Sequence, residues 1–237
     1  MQITFLAHSG FLAEFSNLDV LFDWWKGALP PLGEKPLLVC VSHRHEDHFS
    51  PRIFSLDNGS RPVRFLLGKD IRLTDRNCQR WGISRETVEN CQRVSGEETI
   101  FPFPGVTVET LRSTDAGVAF LVQAEGRTVF HAGDLNWWHW AEESRAWNRN
   151  MEANFKRYME PLRSRSIDLA MMSLDSRLGE AEDWGLSYLL ELAQVERVLP
   201  MHQWEDYAPT ERFCRNHPQW ADRILPVSAS GQVFSLP

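Results

Sequence analysis

The chain has only four cysteines in 237 residues, Cys40, Cys78, Cys91 and Cys214, and no C-x-x-C pair. That scatter excludes a zinc ribbon and a disulfide framework, and it reads as reduced thiols in packing positions. The sequence also lacks any cluster of Lys or Arg, and its formal net charge is −7. Neutralising a run of phosphates takes several clustered cations, so nucleic acid is not an expected partner and a small-molecule substrate is. There is no apolar stretch long enough to span a bilayer or to form a signal peptide, and no basic segment precedes the first strand-like residues. The expectation is a cytoplasmic protein with no membrane partner. Internal repeats, low-complexity tracts and linkers are absent as well, so residues 1–237 read as a single domain.

What is present first is a β-rich opening. Ile3 to Leu6, Phe11 to Phe15, Val20 to Phe22 and Leu37 to Val41 are short apolar runs separated by turn residues. Ser50-Pro51 suits a helix start, Val63 to Leu67 reads as a strand, and Asp70 to Trp81 as a helix. Val106 to Arg112, Val118 to Gln123 and Thr128 to His131 read as further strands, the last two joined by a Glu125-Gly126 hairpin turn. A helical stretch is expected from about Trp138 to Ser164. Ile167 to Ser173, Trp184 to Gln194 and Arg197 to Pro200 then make a strand-helix-strand unit. Two β-rich halves, each followed by helices, point to the α/β class and a four-layer α/β/β/α sandwich.

The strongest local signal is His43-Arg44-His45-Glu46-Asp47-His48, which directly follows the apolar run Leu37 to Val41. Loops that leave buried strands are where sites are built. Two histidines one residue apart can face one ion, while Asp47 and His48 on the next turn can reach a second. Imidazole suits Zn, Mn, Fe, Co or Ni, and the carboxylate widens the range toward harder ions.

This H-x-H-x-D-H pattern resembles the signature of the metallo-β-lactamase-fold hydrolases, and further family landmarks follow in order. Asp23 resembles the strand-end aspartate that buttresses the metal loop. Asp134, in Phe130-His-Ala-Gly-Asp134, resembles the carboxylate that bridges two metals, and His202, in Pro200-Met-His202, the late histidine of the second site. His8-Ser9-Gly10-Phe11-Leu12 and Leu174-Asp175-Ser-Arg177-Leu-Gly179 resemble the branch containing ascorbate-6-phosphate lactonase and many small bacterial hydrolases. The resemblance implies one or two divalent ions, with zinc favoured over manganese or iron, and a metal-activated water acting on an ester, lactone, amide or phosphoester.

One departure stands out. Where the family places a third-motif histidine, this chain reads Arg112-Ser113-Thr114-Asp115-Ala-Gly117. Either Asp115 supplies an oxygen ligand, which is the favoured reading, or His43, His45 and the shared Asp134 hold the first site with water filling the gap. His131 is expected to be a hydrogen-bonded packing residue beside the site. His139 has no assigned place, and His217 no assigned role.

Asp47 would orient the attacking hydroxide or accept its proton. Asp175 and Arg177 would stand near the site, with Arg177 gripping an anionic substrate group or serving only as a structural ion pair with Asp175. Six of the ten tryptophans, Trp24, Trp25, Trp137, Trp138, Trp140 and Trp204, adjoin these loops, which suggests a pocket for a ring-bearing or partly apolar substrate. Exposed tryptophans would also favour a homo-oligomer. Two other classes compete: an oxidoreductase of the sulfur dioxygenase type with one iron, and a non-catalytic metal-binding protein on the same scaffold. A nuclease is disfavoured by the charge and by the lack of an added RNA-clamping domain.

Overall fold

A computed structural model describes residues 1–236. The first half of the chain supplies β1 (Gln2–Ala7), β2 (Gly10–Glu14), β3 (Asp19–Phe22), β4 (Leu37–Val41), β5 (Val63–Gly68) and β6 (Cys91–Val94). The second half supplies β7 (Thr99–Ile100), β8 (Val106–Arg112), β9 (Val118–Ala124), β10 (Arg127–His131), β11 (Ser166–Ser173) and β12 (Gln194–Met201). A last strand, β13 (Val233–Ser235), returns to pair with β1, so the two sheets run β13-β1-β2-β3-β4-β5-β6 and β12-β11-β10-β9-β8-β7. The helices are α1 (Asp75–Trp81), α2 (Arg85–Glu89), α3 (Arg145–Met159), α4 (Trp184–Leu192) and α5 (Ala208–Asn216).

Strand periodicity explains the layering. Along β3 and β4, Val20, Phe22, Leu38 and Cys40 point into the core shared with the second sheet. Leu21, Leu37, Val39 and Val41 point the other way, where Ile53, Phe54 and Trp81 cover them. Strands buried on both faces read as continuous apolar runs, as Leu37 to Val41 does. In the second sheet, Phe155 and Met159 of α3 and Leu186 and Leu189 of α4 join the core with Leu169, Met171 and Val198. Helices thus cover both sheets, and the fold is the expected four-layer α/β/β/α sandwich.

Three helix boundaries differ from the sequence reading. The stretch expected to be helical from Trp138 starts only at Arg145, because Ser144 caps α3 by accepting a bond from the Trp147 amide at 3.1 Å. Likewise α1 begins after Thr74, whose hydroxyl accepts from the Asn77 amide. At its far end, α4 stops at Leu192 and releases Gln194 to start β12. The Glu125-Gly126 turn is observed with both residues at positive φ (51° and 74°), the geometry a two-residue hairpin needs.

Strands β3 to β6 run parallel, as do β10 to β12. Their C-terminal ends therefore open on one edge of the sandwich, where ligands of parallel sheets are commonly bound. Among the described residues no helix is long and apolar enough to cross a membrane.

Candidate metal centre

Each strand end contributes one piece of the site. Asp23 follows β3, the His43 to His48 loop follows β4, Asp134 follows β10, Asp175 follows β11 and His202 follows β12. Asp115 sits in the turn between β8 and β9, and His8 at the tip of the β1–β2 hairpin. His8, Asp23 and His202 all hold positive φ (54°, 40° and 63°), a costly conformation for such residues that persists only where surrounding structure imposes it.

The loop after β4 is fixed through Ser42 and Asp23. The fully buried Asp23 carboxylate accepts from the Ser42 amide and the Ser42 hydroxyl, both at 2.7 Å, and from Nδ1 of His48 at 2.7 Å. Two glycines make room for this hub. A Cβ on Gly117 would lie 1.9 Å from the Ser42 carbonyl oxygen, and one on Gly133 2.7 Å from the Ser42 Cβ; both residues have positive φ. The turn between β8 and β9 and the loop after β10 therefore close directly onto the start of the histidine loop.

The histidines are held by one nitrogen and free at the other. Nδ1 of His43 lies 2.9 Å from the Ser42 hydroxyl, and Nδ1 of His202 lies 2.8 Å from the Asp175 carboxylate. Their Nε2 atoms converge on Asp134, at 3.4 Å for His43, 3.1 Å for His48 and 3.4 Å for His202. Asp47 lies 3.9 Å from Nε2 of both His48 and His202. Nε2 of His43 and His48 and Oδ1 of Asp134 are buried without a hydrogen-bond partner among the described residues. Leaving a buried polar atom unsatisfied costs about 1–3 kcal/mol. A cation coordinated by these atoms removes that cost, and fixing the outer nitrogen of a ligating imidazole by carboxylate or hydroxyl is the usual arrangement around a metal.

The charges agree with this reading. Burial alone would push the Asp134 carboxyl up, but the His48, His202 and His43 rings outweigh it and hold the group well below the usual carboxylate range. Burial and the neighbouring His48 push the His43 imidazole down to about 4, leaving it neutral and able to ligate. His48 goes the other way: burial opposes its charge, yet Asp134 and Asp23 hold it well above the ordinary histidine range. Asp175, despite burial, is lowered to about 2 by its bonds from His202 and Arg177.

The sequence candidates, joined by His8, fall into three overlapping groups. One ligand atom from each member lies within 4.8 Å of the others in His43, His48 and Asp134; in His45, Asp115 and Asp134; and in His8, Asp47, His48 and His202. At the position lacking the family histidine, Asp115 lies 3.9 Å from Nδ1 of His45. Burial and the charge of Asp134 push the Asp115 carboxyl up. Its turn is tied to the next loop by Thr114, which donates to the Asn136 carbonyl at 2.7 Å. His131 donates from Nε2 to the Ser9 carbonyl and accepts from the Gly133 amide at Nδ1, stacked on Phe22 at 4.9 Å. It is therefore a neutral packing residue behind the site. His139 lies against Trp184, and His217 is bonded to Asp183.

Above the cluster lies a cleft of about 330 Å³. His45, Asp47, Asp115, Asp134 and His202 form its polar part; Trp138, Trp140, Trp147 and Trp204 form aromatic walls, and Arg177 stands at its margin. The Arg177 guanidinium bonds to Asp175 through Nε and Nη2 and packs over Trp204, with Cζ 4.8 Å from the ring centroid. The ion pair with Asp175 and a place in the cleft are thus both observed. Three of the six tryptophans singled out in the sequence line the cleft. Trp24 instead packs in the outer core under Arg52, Trp137 packs on Phe155, and Trp25 faces a separate recess. Two residues had no site role in the sequence reading. Trp147 reaches the cleft from the first turn of α3, and His8 reaches the metal residues from a hairpin tip.

A four-layer sandwich with histidines and aspartates gathered at its parallel strand ends defines a metal-dependent hydrolase of the metallo-β-lactamase superfamily. Residues 2–145 match the family described as beta-lactamase superfamily domain, and the chain belongs to it. A metal-dependent hydrolase of Pyrobaculum calidifontis is 23% identical over 211 residues, covering 85% of this chain and 84% of that protein. Among solved structures, Igni18, a metallo hydrolase of Ignicoccus hospitalis, superposes with a TM-score of 0.67 at 15% identity, covering 100% of this chain and 99% of that one. CmlA, a diiron β-hydroxylase from Streptomyces venezuelae, gives 0.61 at 12% identity over 99% of this chain and 54% of its own. At these identities both likenesses speak for the fold alone.

Proposed function

We propose that the chain hydrolyses a small, ring-bearing substrate with an anionic group, at an ester, lactone, amide or phosphoester bond. The observation that carries this reading is the cleft itself, with its metal-ligand residues on one side, four indoles around it and a guanidinium at its margin. Indole faces favour a planar or apolar body, and a planar guanidinium favours a carboxylate or phosphate.

Divalent zinc suits the mixed imidazole and carboxylate donors, with His43, His45, Asp115 and Asp134 holding one ion and Asp47, His48, Asp134 and His202 the other. When bound, such ions supply a water acidic enough to ionise near neutral pH and polarise the oxygen under attack. The chain's own groups do the rest. Asp47 is a carboxylate at neutral pH, held below the usual range against its burial by His8 and His48, and it faces the cleft. It is placed to accept a proton from attacking water. Asp175 fixes the His202 ring, and Arg177 positions the substrate's anionic group beside Trp204.

The test is a screen of metal-reconstituted protein against aryl esters, lactones and phosphodiesters, with His48→Ala as control. The expected result is hydrolysis of one class that is abolished in His48→Ala. Activity that survives the substitution unchanged would refute the mechanism.

A further inference from the structure

His8 is the one imidazole at the cluster that neither the H-x-H-x-D-H loop nor the later strand ends supply. It occupies the two-residue turn between β1 and β2 at φ 54°, a place suited to Gly or Asn. The strain is held by a backbone bond, since the His202 amide donates to the His8 carbonyl at 3.2 Å. The side chain is 4% exposed. Its Nε2 is buried without a hydrogen-bond partner among the described residues and points at Asp47, 3.4 Å from Oδ2. The ring lies 4.2 Å from that of His202 and 4.4 Å from that of Trp204, centroid to centroid. A ring present only for packing would not leave a buried nitrogen unsatisfied among three other ligand atoms.

We propose that His8 is a direct metal ligand, completing with Asp47, His48 and His202, beside the shared Asp134, a deep site that holds its ion more tightly than the other site, where the exposed His45 and Asp115 join His43 and Asp134. Three imidazoles and a carboxylate are a full tetrahedral donor set for a divalent transition metal. Every member of that group is at least half buried by the chain, and His48 and His202 fully so, whereas His45 and Asp115 are both exposed. The deep donors are also pre-oriented, His48 by Asp23 and His202 by Asp175, whereas His45 has only Asp115 at 3.9 Å. Ligand number and rigidity set affinity, so the two sites fill in order. The inference rests on reading the cluster as a metal centre.

The test uses the full chain, stripped with chelator, reloaded with cobalt(II) and dialysed against a weak chelator. Retained cobalt per chain and the visible ligand-field spectrum are the readouts. The parent and Asp115→Asn are expected to retain one ion with the same spectrum. His8→Asn and His8→Gly, both at ease at positive φ, are expected to bind it on the order of tenfold to a hundredfold more weakly, with altered bands. Unchanged retention in both His8 variants overturns the proposal. So does weaker binding with an unchanged spectrum, since His8 would then only orient Asp47. A parent chain that retains no cobalt at all overturns the metal-centre reading itself.

Discussion

Removing the Asp23 carboxylate strands the Ser42 amide, the Ser42 hydroxyl and Nδ1 of His48 together. Asp23→Ala is therefore expected to cost about 3 kcal/mol or more, read from urea denaturation, although the residue touches no substrate. Arg177→Met should raise KM for anionic substrates by roughly tenfold to a hundredfold, the worth of a charge-assisted hydrogen bond, and leave neutral analogues nearly unaffected. The ionisations make a third prediction for the metal-free protein. His48 has a raised folded pKa, so its contribution is fully present below about pH 6.5 and is lost as pH rises through the higher folded value. His43 has its folded pKa lowered to about 4, so the unfolded chain binds the extra proton and stability falls as pH drops from about 6.5 toward 4. Denaturation midpoints across pH should peak near 6.5; a midpoint that climbs steadily above pH 7 would contradict the His48 assignment. At this scale the sequence showed the clustered donors, because His43, His45, Asp47 and His48 share one motif and Asp134 and His202 each have a strand-end context. It marked His8 only as part of a family-like stretch and gave it no ligand role, since a histidine in a hairpin turn carries no metal signal until the fold brings residue 202 against it.

Among elements, the turn between β8 and β9 depends on a single small residue. At φ 67°, with a Cβ destined for the Ser42 carbonyl and the His43 Cβ, Gly117 admits no side chain unless the turn lifts away. Gly117→Ala is expected to lose on the order of 3 kcal/mol through strain and clash, and to weaken metal retention by moving Asp115 and His43 together. Circular dichroism with metal counting would check both. Buried strands such as β4 and β5 were legible because both faces are apolar. By contrast β6, β7 and β13 are short edge or partly exposed strands without a clean alternation, and sequence periodicity passed over them. The late start of α3 was hidden for another reason. Trp138 to Trp140 look helical by composition, but the Trp138 indole donates to the Asp134 carbonyl at 2.9 Å and the segment becomes cleft wall instead.

For the molecule as a whole, bound metal should act as a clamp between the two sheets, because the first sheet supplies His8 and the histidine loop while the second supplies Asp115, Asp134 and His202. Ligand binding to the native state alone is worth about 4 kcal/mol at a thousandfold excess over Kd. For a chain of this size that corresponds to a Tm roughly 8 °C or more above the metal-free protein, measurable by calorimetry with and without chelator. The order in which the chain supplies the clamp has a consequence for biosynthesis. The hairpin carrying His8 is made well before residue 202, which supplies its backbone partner and neighbouring ring. Before residue 202 is made, a nascent chain can pair β1 to β6 and present the histidine loop, but it cannot add β13 or close the deep pocket. Metal capture there waits until residue 202 has emerged.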